Sequence, residues 1–325
     1  MHAAAFSPRG GVARRAAQLR GQSIIEYVLI IAIIGLVIVF AGPGVAGAIR
    51  NQFNLVGNTV NNGTSAGTEG SGASGGGSAG GGSATVQAAI AKDAKDWSLG
   101  EQEGVAEDIA AKGEASPAFA KAKAAMDAGT KFTMKLTDGK TLEYRIVGIN
   151  HDDLADGSGK AGLTFEATNG ALGEQRMDTK DISAGGWKEA NLRQKMNSGE
   201  IWNLMPSDFQ SKVKAVKKMT YNKGGSNAGT PSSTTDKVFL LSMNEIYGDF
   251  LQDGIRYADG TQYEYYKSKG VTRSNNSGAS SNFFHWTRTE RALWGNTFFY
   301  LYSSAYSDCA DPKNSTFYVF PAWCF

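Results

Sequence analysis

Hydrophobic positions divide the chain into unlike pieces. From Tyr27 to Ile49 no residue is charged, and Ile and Val crowd between Ile24 and Val39. As a helix rising about 1.5 Å per residue, that run predicts a span long enough to cross a hydrocarbon layer of roughly 30 Å. Gly57 to Ala84 has no apolar period and predicts a flexible Gly/Ser linker. Thr85 to Ala128 is rich in Ala, Lys, Asp and Glu, with breaks expected at Gly100, Gly113 and Ser116-Pro117, so two or three short helices are predicted. Lys131 to Leu136 and Leu142 to Val147 both alternate polar with apolar around Asp138-Gly139, which predicts a β-hairpin. Further on, the pattern predicts strands over Leu163 to Ala167 and Val238 to Leu241. It predicts helices over Trp187 to Asn197 and Ser207 to Val216, the latter capped by Ser207. The aromatic, turn-rich remainder to Phe325 is expected to be β. The fold class read from this is α+β: a long N-terminal transmembrane helix, a flexible linker and an α+β globular domain.

Composition sharpens the division. The chain has 325 residues and 41 glycines, many of them packed into the linker, and its formal net charge of +2 selects no partner. Charge is informative only at the N-terminus. Arg9, Arg14, Arg15 and Arg20 precede the apolar run with no acid among residues 1–21. Basic residues stay on the cytoplasmic side, so everything after Arg50 is expected outside. A secretory signal cut in the Gly42 to Ala48 stretch and a plain signal anchor both fit this pattern. Neither explains Glu26, since an ionisable residue inside an apolar run is costly and by default marks a function. Pro43 between Gly42 and Gly44 predicts either a kink or the end of the helix.

The stretch Gly21-Gln22-Ser23-Ile24-Ile25-Glu26-Tyr27, followed by the apolar run, resembles the processing site of type IVb pilins of the Flp and Tad kind. The resemblance implies cleavage of Gly21–Gln22 by prepilin peptidase, leaving Gln22 as the mature N-terminus. Glu26, with Tyr27 beside it, would then serve assembly, its carboxylate pairing with the α-amine of Gln22 on a neighbouring subunit. Pilins of the bulk filament are short, so a large distal domain implies a minor or specialised subunit. The implied organisation is a leader (1–21), an assembly helix (22–56), a linker (57–84), a helical segment (85–130) and an extracytoplasmic α+β domain (131–325).

The distal half is similar to a family of uncharacterised bacterial surface domains over Lys131 to Phe325. The similarity rests on Trp187 to Arg193, Asp236 to Ser242 with Glu245, His285-Trp286-Thr287-Arg288 and Phe320 to Phe325. These features also resemble the C-type-lectin-like superfamily, a fold-level likeness that carries little functional weight.

Candidate chemistry is sparse. Cys309 and Cys324 are the only cysteines, and outside the cell they are expected to form one disulfide. Two cysteines and three histidines give no zinc-ligand spacing. His151-Asp152-Asp153 with Asp156-Gly157 suggests a calcium loop, but Leu154 breaks the ligand alternation and a solvated turn is favoured. Lys212, Lys214, Lys217, Lys218 and Lys223 read as a solvated face rather than a phosphate-binding patch, so nucleic acid is not expected as a partner. Trp286 and Arg288 are assigned to the core and a buried polar network. Tyr263, Tyr265, Tyr266, Phe298, Phe299 and Tyr300 are assigned to the core rather than to a carbohydrate platform.

No enzyme, metal or cofactor is expected. The function expected is a pilin-like subunit, processed by prepilin peptidase and joined through its N-terminal helix to other pilin subunits in the membrane. Its distal domain would be displayed at the cell surface to bind an unknown extracellular ligand, a glycan or a surface protein. The alternatives are an anchored lectin-like module that does not polymerise, and an extracytoplasmic enzyme on a lectin-like fold.

Overall fold

The computed structural model describes residues 83–180, 185–222, 231–293, 297–302, 304 and 307–325. The chain divides into two compact units, Met1–Gly75 and Gly76–Phe325. The first unit lies wholly outside the described residues, as do Gly21, Gln22, Glu26, Tyr27 and Pro43. The expected fold class is therefore corrected. No helix among the described residues is long and apolar enough to cross a membrane, and what the structure describes is an α+β domain.

The domain opens with helices α1 (Ala84–Ile90), α2 (Leu99–Lys112) and α3 (Phe119–Ala128). Gly100 does not break α2, contrary to the sequence expectation. Ser98 and Glu101 cap each other's backbone reciprocally and start the helix one residue earlier. That support outweighs a single glycine, which costs about 1 kcal/mol in a helix. The helices bury their apolar faces, Val86, Val105, Ile109 and Met126 among them, against the first sheet. The approach is close: a Cβ added at Gly162 would lie 1.8 Å from the Ala106 carbonyl oxygen of α2.

The predicted hairpin forms as β1 (Phe132–Lys135) and β2 (Thr141–Ile149), with Gly139 at a positive φ in the turn. Strand β3 (Leu163–Ala167) pairs antiparallel with β2. After β4 (Glu174–Gln175) come four short helices: α4 (Gly186–Glu189), α5 (Asn191–Asn197), α6 (Glu200–Leu204) and α7 (Ser207–Lys212). The helix expected over residues 187–197 is broken at Ala190, whose backbone is extended. Ser207 is the first residue of α7 and not its cap, because Pro206 occupies the cap position.

Two hairpins follow, β5 (Val216–Thr220) with β6 (Ser232–Asp236), and β8 (Leu251–Gln252) with β9 (Ile255–Arg256). Between them lie β7 (Val238–Phe239), shorter than expected, and α8 (Met243–Tyr247). Helix α9 (Glu264–Ser268) precedes β10 (His285–Glu290), β11 (Phe298–Leu301), β12 (Ser307–Ala310), β13 (Phe317–Tyr318) and β14 (Ala322–Cys324).

The first sheet runs β1-β2-β3-β14-β7 and the second β12-β11-β10-β13-β4. Trp323 on β14 forms the hub of the first core, with Tyr144, Phe165 and Phe209 ring centroids 4.9, 5.9 and 5.2 Å away. The disulfide expectation is also corrected. Cys324 sits on β14 in the first sheet and Cys309 on β12 at the edge of the second, and both are free thiols. A disulfide needs Cβ atoms about 4 Å apart. Here Cys324 instead lies 3.4 Å from Thr164 Oγ1, and the Arg291 guanidinium donates to Cys309 Sγ.

Candidate functional site

Polar side chains converge where β2, β3 and α9 meet the segment leading into β10. Arg145 and Glu166 are register partners on β2 and β3, so their side chains share one face of the sheet. Arg145 Nη2 donates to Glu166 Oε2 at 3.0 Å, and Tyr266 Oη donates to the same oxygen at 2.7 Å. The guanidinium lies 4.2 Å from the Tyr265 ring centroid, which fixes its plane. Burial pushes the Glu166 carboxyl above its ordinary range, although Arg145 opposes the shift.

On the opposite wall His285, the first residue of β10, stacks on Phe320 with ring centroids 4.3 Å apart. The His285 Nδ1 lies 3.1 Å from the Phe283 carbonyl oxygen, which assigns the proton to Nδ1. The cleft between these walls encloses about 220 Å³, with Lys131, Ser280, Ser281 and Asn282 at its rim. Two buried polar atoms on its wall, Arg145 Nε and Thr168 Oγ1, have no hydrogen-bond partner. A rigid set of donors and acceptors beside an aromatic edge suits a small polar ligand.

Burial lowers the His285 imidazole to about 4, with the Arg145 charge adding to the shift. An unfolded chain would take up the proton near 6.5. Below that pH the unfolded state binds a proton that the native state refuses, so this contribution to stability is present above 6.5 and lost between 6.5 and 4. The slope is at most about 1.4 kcal/mol per pH unit. Asp259, raised to about 6 by burial, acts in the opposite sense as pH falls. The discriminating measurement is therefore the difference between wild type and His285→Gln in urea midpoint across this pH range. The gap is expected to narrow, or to change sign in favour of the variant, on acidification. A gap independent of pH would rule out the buried neutral imidazole.

A larger groove of about 500 Å³ lies between α3, α9 and the end of β2, with Phe119, Met126 and Ile149 on its walls. Of its charged groups Lys123 and Asp127 are paired with each other, and Asp127 Oδ1 and Asn150 Oδ1 are buried without a hydrogen-bond partner.

A second polar cluster is closed to solvent. Arg288, fully buried on β10, pairs with Glu245 of α8 through both Nη1 and Nη2, the latter at 2.7 Å. Its remaining donors go to Thr220 Oγ1 and to the carbonyls of Leu240, Met219 and Asp259. Glu245 Oε1 also lies 2.6 Å from Lys218 Nζ, which is itself 2.6 Å from Asp152 Oδ1. Gly260 closes over this cluster at positive φ, where a Cβ would come within 2.6 Å of Glu245 Cγ. The assignment of Trp286 and Arg288 to the core agrees with their burial, as does that of the six aromatics between Tyr263 and Tyr300.

Two other expectations change. Asp152 is buried rather than part of a solvated turn, and Lys218 is buried rather than solvated. Lys212 and Lys214 pair with Asp208, Glu103 and Glu107, so the basic run offers no open patch there, while Lys223 lies outside the described residues. No cluster of His, Cys, Asp and Glu among the described residues is arranged to hold a metal ion.

Residues 158–323 match the family profile described as domain of unknown function (DUF6273), just over half of the chain. The chain belongs to the DUF6273 family. No curated protein and no solved structure matches it. The matched part of the DUF6273 domain contains Glu166, Lys218, Glu245, His285 and Arg288, whereas Arg145 and Asp152 precede it. Cleft and buried cluster alike are thus completed by the β2 region upstream of the matched segment.

The sequence reading did not single out Arg145 or Glu166. Arg145 occupies the polar phase of an alternating strand and reads as solvated. Glu166 carried the better signal, an acid inside the otherwise buried run Leu163 to Ala167.

Proposed function

We propose that the chain is a minor or specialised pilin-like subunit, processed by prepilin peptidase, that displays its DUF6273 domain outside the cell as a binding head. The observation that carries this reading is Gly21-Gln22-Ser23-Ile24-Ile25-Glu26-Tyr27 ahead of the uncharged run to Ile49. Cleavage at Gly21 leaves Gln22 as a free amine, and Glu26 supplies the carboxylate that meets it on a neighbouring subunit. The cleft around Arg145 and His285 is then the surface offered to a polar partner, a glycan or a surface protein.

The test is intact mass and N-terminal sequencing of the protein sheared from its host's surface. An N-terminus at Gln22 is expected, with Gly21→Val retaining residues 1–21 and staying out of the sheared fraction. Filling the cleft by Ser281→Trp is expected to leave processing intact and abolish attachment by the cells that carry it. A mature chain that keeps Met1, or is cut after the apolar run, would remove the pilin reading. Undiminished attachment with the cleft filled would remove the cleft from it.

A further inference from the structure

We propose that Lys218 and Asp152 condense within the folded domain to form an intramolecular amide, with Glu245 carrying the proton. The three side chains come from separate elements: Lys218 from β5, Asp152 from the β2–β3 connection and Glu245 from α8. Each is almost wholly buried, at 2%, 4% and 1% exposure. The Lys218 amine lies 2.6 Å from an oxygen of each carboxylate and donates to Tyr263 Oη at 2.9 Å, with aromatic rings around the rest of it. The Phe239 ring centroid is 4.3 Å away and the Tyr263 ring centroid 5.3 Å away.

Two barriers prevent amines and carboxylates from condensing in water. Solvent stabilises the separated ions, and it returns any amide towards hydrolysis. A dry site excludes the water that would reverse the reaction. Burial opposes each charge, yet the charged partners hold Asp152 and Glu245 below and Lys218 above their ordinary values, so the ion pair is the resting state from which the proton must move. Fixing the reactants in contact removes the entropic part of the barrier as well.

The remaining contacts match what the reaction needs. Asp152 Oδ2 accepts from Thr164 Oγ1 at 2.7 Å and from Tyr263 Oη at 2.8 Å. These donors polarise the carboxyl group and hold the oxyanion that forms on attack. Glu245 is held at the amine by Arg288, which makes Arg288 a positioning residue.

The atoms balance without a co-reactant. The ammonium gives one proton to Asp152 Oδ1, and the lone pair of the resulting neutral amine attacks Asp152 Cγ, forming the C–N bond. Glu245 Oε1 takes a second proton from the nitrogen, which has become positive on attack. Oδ1 leaves as water when Glu245 returns its proton, and the C–Oδ1 bond breaks. Nothing is oxidised or reduced. The product ties β5 to a point 66 residues earlier in the sequence.

The experiment is mass spectrometry of the full-length, folded chain, intact and after trypsin. The amide makes the domain lighter by one water and blocks cleavage after Lys218. It should yield residues 146–160 joined to residues 218–223 as one branched peptide that survives boiling in detergent with reductant. The peptide map distinguishes this loss from cyclisation at an exposed N-terminal Gln22. Lys218→Arg keeps the positive charge without the nucleophile, and both it and Glu245→Gln are expected at full mass with no branched peptide. Unlinked peptides and cleavage after Lys218 in the folded wild type would overturn the proposal, leaving an ion pair only. That readout needs no variant to fold. A branched peptide in Glu245→Gln at wild-type yield would overturn the role given to Glu245.

Discussion

Replacing Arg288 by methionine is expected to lower the unfolding free energy of the domain by roughly 3–5 kcal/mol. Methionine keeps much of the length and apolar volume, so the loss is not chiefly one of packing. It comes from what the guanidinium leaves behind. Glu245 stays buried without its guanidinium partner, and Thr220 Oγ1 and the carbonyls of Leu240, Met219 and Asp259 lose their donor. An orphaned charge in a dry interior costs more than the intact pair contributes. A folded domain typically has about 5–15 kcal/mol in hand, so the effect should be plain in a urea or guanidinium midpoint at unchanged slope. Removing both charges, with Arg288→Met and Glu245→Leu together, is expected to recover part of the loss. A single variant within about 1 kcal/mol of wild type would mean the cluster is solvated and the description of it wrong.

The second large effect is expected at Trp323. Its indole is fully buried among Tyr144, Phe165 and Phe209, and Trp323→Ala should cost about 3–5 kcal/mol through lost burial and the cavity left behind. Trp323→Phe separates ring from polar atom. The Trp323 Nε1 donor is buried with no hydrogen-bond partner, so removing it forfeits no bond and relieves a desolvation penalty. The phenylalanine variant is therefore expected to lose less than about 2 kcal/mol, all of it volume. Equal losses for the two variants in thermal or denaturant unfolding would show that the nitrogen is bonded after all.

Local chemistry made some of this architecture legible. Asp138-Gly139 between alternating segments predicts the hairpin because the turn is set by the residues that make it. Leu163 to Ala167 reads as a strand for the same reason. Of the buried cluster only Arg288 was legible, since the logic that joins the other members is non-local. Asp152 follows His151 and precedes Asp153, and Lys218 sits in a lysine run, so each reads as solvated by its neighbours. Only the fold brings Lys218 to Asp152, across 66 residues, and to Glu245 on another element. The cysteines misled in the converse way. Two cysteines suggest one bridge, but the topology assigns them to different sheets, and no composition carries that information. Ser83 caps α1 where the glycine-rich stretch gives way to alanine and valine.

The order of synthesis sets when this domain can become whole. Strand β14 lies between β3 and β7, joining them through antiparallel ladders on both sides. It is made after both, so the two halves of the first sheet remain unjoined until the ribosome has passed residue 324. Until then Trp323 is missing from the ring cluster, and Phe165 and Phe209 have no hub to close upon. Pairing partners this far apart in sequence fold slowly, and an open sheet edge meanwhile invites association. The β1-β2-β3 ladder can pair on its own, but the first sheet is completed only by its last-made strand.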